Sequence, residues 1–169
     1  TVASEPALID VPSDQNGASF YIKQIQLDGM PKELSFLNKL THKYEQKNVT
    51  VSDITNIRNA FQRKLLDKGF VTSQVYIPEQ NLNDGILQLM VIPGRVEDIR
   101  YSESSAHGPW RTALVVRPGD ILNIRDIEQG LEQMKRVSSQ SVTMKLLPGK
   151  AIGTSVIELS IKQEKPVYG

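Results

Sequence analysis

The stretch from Gly69 to Gly94, GFVTSQVYIPEQNLNDGILQLMVIPG, most constrains how this chain can fold. It holds two runs rich in β-branched and aromatic residues, Val71 to Ile77 and Ile86 to Ile92, and such residues suit a half-buried pleated strand. The segment between the runs contains Pro, Asn, Asp and Gly, which favour turn conformations. The stretch therefore predicts a β-hairpin.

The two runs differ in how their side chains alternate. In the first run Val71, Val75 and Ile77 share one face and polar residues occupy the other, whereas the second run is apolar on both faces. A strand that is apolar on both faces is usually an inner strand of a sheet. The first run is therefore the better candidate for an exposed edge strand.

Upstream of the hairpin, the patterns predict one strand and two helices. Phe20 to Leu27 has the composition of a strand, and the leucines of Glu33 to Tyr44 recur at helical spacing. Ser52 is the predicted N-cap of a second helix, which Gly69 ends. The predicted order is strand, helix, helix, strand, strand.

The same order is predicted again after residue 94. Val96 to Tyr101 repeats the apolar spacing of the first strand, Pro109 is placed to start a helix with Trp110 on its apolar face, and Asn123 is a predicted N-cap. A second hairpin is predicted from the runs Val142 to Leu147 and Val156 to Ile161.

The repetition predicts an α+β fold of two tandem modules. Each module is expected to have the order β-α-α-β-β, with a three-stranded sheet covered on one face by two helices. The predicted bounds are 19–93 and 94–165, after a linker or tail over 1–18, and these lengths suit small domains. Seven residues are predicted to be structural turn residues: Pro78, Gly85, Pro93, Gly94, Gly119, Pro148 and Gly149.

Glycine is expected at some of these turns because of its backbone. A positive φ costs glycine nothing, whereas other residues adopt it at a steric cost. We therefore expect a positive φ at Gly85, Gly94, Gly119 and Gly153.

The chain carries no pattern typical of catalysis or of metal binding. It has no cysteine, its two histidines, His42 and His107, are far apart, and the HExxH, GxSxG, GxxxxGK[ST] and GxGxxG patterns do not occur. The net charge is +1, which does not indicate a nucleic-acid-binding surface. We expect a non-enzymatic monomer with no cofactor, no metal and no nucleic-acid partner.

An exposed strand edge remains as the candidate binding site. Its unpaired main-chain groups can take an extended peptide as an additional strand, with weak demands on sequence. The candidate partner-binding residues are Val71, Ser73, Val75 and Ile77 in the first module and Val142, Met144 and Leu146 in the second.

Two alternatives to this edge site stay open. The edge can be merely protected, by Thr72 and Gln74 in the first module and by Lys145 in the second. A partner can also dock on a charged helix face, for which Arg125 and Arg136 are the candidates.

Several motifs together resemble one protein family. SQVYIPEQNL at Ser73 to Leu82, followed by Asp84-Gly85 and the VIPG that ends at Gly94, resembles the junction of the first and second POTRA modules in the outer-membrane transporters of two-partner secretion. These are haemolysin or adhesin secretion and activation proteins. Gly119 to Leu131 and Pro148 to Ser155 resemble the helix and the final hairpin of the second module.

The resemblance implies a periplasmic arm of two POTRA modules that precedes an outer-membrane β-barrel. Its implied partners are the unfolded amino-terminal secretion domain of an exported exoprotein and the transporter's own barrel, towards which residues 166–169 would lead. The alternative function is a POTRA-type scaffold that docks folded partners in a division or barrel-assembly complex.

Overall fold

A computed structural model describes residues 18–102, 114–138 and 140–163, and the statements below concern these residues. Their secondary structure is β1 (Ser19–Ile22), β2 (Gln24–Asp28), α1 (Leu37–Tyr44), β3 (Lys47–Thr50), α2 (Val51–Asp67), β4 (Gln74–Tyr76), β5 (Ile86–Ile92), β6 (Arg95–Tyr101), α3 (Ile124–Ser138), β7 (Gln140–Pro148) and β8 (Thr154–Gln163). No described helix is long and apolar enough to cross a membrane. The predicted helix start at Pro109 and Trp110 lies outside the described residues, as do 1–17 and 166–169.

The chain folds as two compact units. The described part of the first unit covers 18–68 and Ser73–Pro93, and the second unit holds Gly69–Thr72 together with the described residues from Gly94 onward. Each unit contains a three-stranded sheet, so the predicted α+β class is confirmed. The four residues Gly69–Thr72 thus belong to the second unit although they precede the end of the first in sequence.

The sheet of the first unit has the strand order β2-β5-β4. β5 lies parallel to β2 and antiparallel to β4, so β5 is the inner strand and β4 an edge, as its alternation predicted. β4 is shorter than the predicted run chiefly at its start, because Val71 and Thr72 belong to the second unit. Beyond the end of β4, the Gln80 side chain bonds both main-chain groups of Gln88, with Nε2 to O at 2.8 Å and N to Oε1 at 2.7 Å.

The sheet of the second unit has the same arrangement, β6-β8-β7. β8 lies parallel to β6 and antiparallel to β7, so the second predicted hairpin is confirmed. α3 begins directly after Asn123, whose Oδ1 accepts the Arg125 N–H at 2.9 Å, as an N-cap residue does. The fully buried side chains of this core include Leu122, Ile127, Ile157, Leu159 and Ile161.

The region before α2 differs from the prediction in two ways. The predicted first strand is broken at Lys23 into β1 and β2, and β1 pairs antiparallel with β3 in a two-stranded sheet. The predicted helix from Glu33 to Tyr44 was too long, because a 3₁₀ turn occupies Lys32–Leu34 and α1 begins only at Leu37.

The N-cap of α2 is Thr50, so the prediction of Ser52 was wrong. Thr50 Oγ1 accepts the Asp53 N–H at 3.2 Å, and Asp53 Oδ2 accepts the Thr50 N–H at 2.9 Å. This reciprocal capping box satisfies two main-chain donors at the helix start. The predicted apolar stripe of α2 is buried: Ile54, Ile57, Phe61 and Leu65.

The predicted turn glycines divide into two groups. Gly85, Gly119 and Gly153 have positive φ, as expected, but Gly94 does not, so that prediction was wrong. A Cβ on Gly94 would lie 2.5 Å from the main-chain oxygen of Thr72 and closer still to Thr72 Oγ1. Glycine is required there by the close approach of two chain segments rather than by its φ.

The other predicted turn residues lie at the ends of strands. Pro148 is the last residue of β7, opposite Ser155, and Gly149 follows it at the start of the turn. Pro93 and Gly94 lie between β5 and β6.

Candidate functional site: two sheet edges

The outer edge of β4 is covered by side chains of α2. In an antiparallel pair, residues alternately direct their main-chain groups towards the partner strand and away from it. Val75 lies opposite Val91, and its N–H donates to Gln62 Oε1 at 3.0 Å. The main-chain groups of Val75 therefore point away from β5. Gln62 Nε2 donates to Ser73 O at 2.9 Å, and Arg58 Nε donates to Val75 O at 2.7 Å.

These three hydrogen bonds show which side chains cover the β4 edge of the first unit. The edge is protected, as one of the alternatives held, but by Arg58 and Gln62 rather than by Thr72 and Gln74. Of the other candidate residues, Ile77 is buried beyond the end of β4, and Val71, 37% exposed, belongs to the second unit. An extended peptide can pair with β4 only if the α2 side chains move.

The outer edge of β7 is different. Gly149 N–H donates to Thr154 O at 2.9 Å, so the main-chain groups of Gly149 point towards β8. Because this direction alternates along an antiparallel strand, the main-chain groups of Thr143, Lys145 and Leu147 also point towards β8. The main-chain groups that point away from β8 are therefore those of the three predicted residues Val142, Met144 and Leu146. Within the described ranges, no residue forms a hydrogen bond with these outward groups.

The helices explain why the two edges differ. When buried Ile54 of α2 is matched with buried Ile127 of α3, Arg58 corresponds to Leu131 and Gln62 to Lys135. Leucine forms no side-chain hydrogen bond, and lysine can donate but cannot accept. Neither residue can satisfy a strand edge as Arg58 and Gln62 do.

The side chains of β7 are also divided between two faces. Val142 is buried in the core of the second unit, and Met144 and Leu146 are partly buried against it. Thr143 and Lys145 are exposed on the opposite face, where Lys145 lies across the ladder from Glu158. Lys145 therefore leaves the outward main-chain groups of its neighbours uncovered.

A single glutamate holds the turn between β7 and β8. Glu97 Oε1 accepts the Lys150 N–H at 2.8 Å, the Ala151 N–H at 3.2 Å and the Thr154 hydroxyl at 3.3 Å. The hydrogen bond from Ala151, followed by those from Lys150 and Thr154, holds the pKa of Glu97 below its usual range. The end of the open edge is thus fixed to β6.

The charged helix face offers a weaker site than its arginines suggested. Arg125 and Arg136 are both exposed, about three turns apart on one side of α3. Glu128 and Glu132 lie between them on the same side, so the stripe carries no net charge.

Neither the cleft between α1 and α2 nor the arrangement of the described acidic and histidine side chains is typical of an active site. A cleft of about 370 Å³ between α1 and α2 is lined by residues such as Lys43, Arg63, Lys64 and Asp67, with a single carboxylate among its lining residues. Among the described residues no three His, Asp or Glu side chains are grouped so as to hold a metal ion.

Two family models match successive parts of the chain. A model described as POTRA domain, ShlB-type, matches residues 20–94, and a model described as POTRA domain matches residues 95–148. Together the two matches run without a gap from residue 20 to residue 148.

Individual relatives extend the similarity over most of the chain. The outer membrane transporter CdiB-2 of Burkholderia pseudomallei (strain 1026b) is 38% identical over 159 residues, which are 94% of this chain and 27% of that protein. The hemolysin transporter protein ShlB of Serratia marcescens is 29% identical over 96% of this chain and 28% of its own length. The structure of CdiB from Acinetobacter baumannii has a TM-score of 0.75 at 29% identity, over 87% of this chain and 30% of that one. The chain spans less than a third of each.

Proposed function

Because this chain belongs to the POTRA region of two-partner secretion transporters and lies in the periplasm, we propose that it binds the unfolded secretion domain of an exported exoprotein and delivers it to the outer-membrane β-barrel pore. The relatives are transporters rather than enzymes; ShlB is a hemolysin transporter by name. The exoprotein of this chain is expected to be a haemolysin or an adhesin.

The observation that carries the proposal is the open edge of β7. Three successive outward residues, Val142, Met144 and Leu146, offer N–H and C=O groups that no described residue uses. The next outward residue, Pro148, has no N–H, so the open edge ends there. The open edge covers the five strand positions from Val142 to Leu146. An added strand advances by the same rise of about 3.3 Å per residue, so the edge suits an extended polypeptide about six residues long.

Strand addition also explains why the client must be unfolded. A folded domain has already paired its own strands, whereas an unfolded segment presents free main-chain groups. Each new main-chain hydrogen bond contributes about 0.5–1.5 kcal/mol net, so several together hold a segment without fixing its sequence. This is the behaviour that a transporter needs in order to bind a segment and then release it.

The test removes one outward donor from β7. Met144→Pro deletes an N–H that points away from β8, where proline is tolerated, and Met144→Ala keeps the N–H but shortens the side chain. We expect Met144→Pro to bind the urea-unfolded, freshly diluted secretion domain at least fivefold more weakly than Met144→Ala, since one hydrogen bond of about 1 kcal/mol is lost. Fluorescence anisotropy of the labelled domain measures the affinities.

A matched control separates edge binding from unfolding. Thr143→Pro removes an N–H that donates to β8, so it should disrupt the hairpin itself, and circular dichroism should report this loss. Met144→Pro should keep the wild-type spectrum. If folded Met144→Pro binds the secretion domain as tightly as Met144→Ala, binding at the β7 edge is excluded.

The charged face of α3 is the competing site. If it bound the client, Arg125→Ala and Arg136→Ala would weaken binding, and the loss would grow smaller with rising salt. We expect both variants to bind within twofold of wild type at physiological salt. A folded partner that binds as well as the unfolded domain would instead favour a scaffold that docks folded proteins.

A further inference from the structure

The contact between α2 and β4 has the hydrogen-bond pattern of a parallel strand. In a parallel pair, one residue donates to the C=O of a neighbouring-strand residue and accepts the N–H of the residue two positions further along. Gln62 does this through its side chain, because its amide donates to Ser73 O at 2.9 Å and accepts the Val75 N–H at 3.0 Å. Arg58 Nε then donates to Val75 O at 2.7 Å, as the next N–H of such a strand would.

We propose that this surrogate strand is a lock, which closes the edge of β4 until an extended polypeptide replaces the two side chains. The inference rests on the proposed function for the kind of ligand, a polypeptide main chain running parallel to β4. The binding site is the β4 edge and the side chains that close it are Arg58 and Gln62, so both are separate from the β7 edge.

The chemistry of the lock makes it exchangeable. Gln62 and Arg58 are partly exposed, and holding such long side chains in one rotamer costs entropy that their release returns. An incoming strand offers the same donors and acceptor from its own main chain, so Ser73 O and both groups of Val75 stay satisfied after the exchange. In the described part of the second unit, Leu131 and Lys135 occupy the matching positions and cannot form the same pair of contacts.

The lock predicts that removing Gln62 strengthens peptide binding. The probe is a fluorescein-labelled nine-residue peptide of alternating threonine and valine with a lysine at each end, chosen for its strand propensity. All variants carry Met144→Pro, which weakens the β7 site to the same extent in each of them. We expect Gln62→Ala to bind the probe at least fivefold more tightly than Gln62, because it removes two competing hydrogen bonds, each of about 0.5–1.5 kcal/mol.

Two further variants test the chemistry of the lock. Gln62→Glu can still accept the Val75 N–H but cannot donate to Ser73 O, so its affinity should fall between those of Gln62 and Gln62→Ala. Arg63→Ala removes an exposed side chain of α2 that makes no described contact with β4, and it should leave binding unchanged. A purely structural contact predicts that Gln62→Ala binds no better than its parent.

Hydrogen exchange at the Val75 amide gives a second readout, and it needs no change at Met144. Gln62→Ala should speed this exchange at least fivefold, and saturating probe should restore the protection. If the probe neither binds more tightly nor restores protection, the lock is refuted. Failure of Met144→Pro to weaken binding of the secretion domain would instead refute the β7 site and leave the lock intact.

Discussion

Gly94 and Gly119 show two separate reasons for glycine at the residue scale. Gly119 has φ +94°, and a Cβ there would meet nothing within 4 Å. Gly94 has no positive φ, yet a Cβ would lie 2.5 Å from Thr72 O. The turn motifs predicted that both positions need glycine, but the reason at Gly94 depends on a segment 22 residues earlier in sequence, which no local pattern indicates.

The two reasons predict different costs for alanine. At Gly119 only the backbone conformation is strained, and we expect Gly119→Ala to lower the free energy of unfolding by about 1 kcal/mol. At Gly94 the new methyl group meets a main-chain oxygen that cannot rotate away, so Gly94→Ala should cost about 3 kcal/mol, the upper part of the range for overpacking. Urea denaturation measures both. Equal costs would contradict the close approach at Thr72.

At the scale of elements, the strands with clear alternation were predictable and their neighbours were less so. β5 to β8 follow from apolar patterns that each strand carries within itself. β3 contains Lys47 and Asn48, which do not favour strands, and it forms because β1 pairs with it across more than 20 residues. The contact of Gln62 and Arg58 with β4 could not be predicted from the sequence either, because these side chains of α2 lie 13 and 17 residues before Val75.

The turn between β7 and β8 provides a pH test at this scale. The folded-state pKa of Glu97 is lowered from 4.5, so its charge contributes stability that is fully present above pH 4.5 and is lost as the pH falls through the folded-state value. Glu97→Gln keeps an acceptor but removes the charge. We expect the difference in free energy of unfolding between wild type and Glu97→Gln to be constant from pH 7 to 5.5 and to shrink below pH 4.5.

Urea denaturation of both proteins between pH 7 and pH 3 measures this difference. Other carboxylates titrate alike in the two proteins, so their effects cancel in the subtraction. A difference that stays constant over the whole pH range would show that the charge on Glu97 does not hold the turn.

At the scale of the whole molecule, the boundary between the units is not one point in the sequence. Gly69–Thr72 belongs to the second unit, and Gly69 O accepts the N–H of Ile124, the first residue of α3, at 2.8 Å. The repeat predicted two units because the strand pattern recurs. The repeat did not predict that Gly69–Thr72 belongs to the second unit, because the apolar residues of this segment have the pattern of the start of the first hairpin.

Three fragments test the interleaved boundary. We expect residues 1–93 to keep native-like circular dichroism, although a piece of this size is marginally stable. Residues 94–169 should unfold at a lower urea concentration than residues 69–169, because only the longer piece contains the acceptor for Ile124 and the segment against Gly94. Equal midpoints for these two pieces would refute the assignment of Gly69–Thr72 to the second unit.

The parallel pairing of β6 with β8 has a mechanical consequence. Arg95 lies beside Thr154 and Tyr101 beside Leu159, so the chain enters β6 where β8 begins and leaves β8 at the opposite end of the sheet. A tension along the chain therefore pulls the two strands past each other in shear, and their hydrogen bonds share the load instead of opening one at a time. Under the proposed function, a client held by this chain during export would exert such a tension, and this sheet is connected so as to bear it.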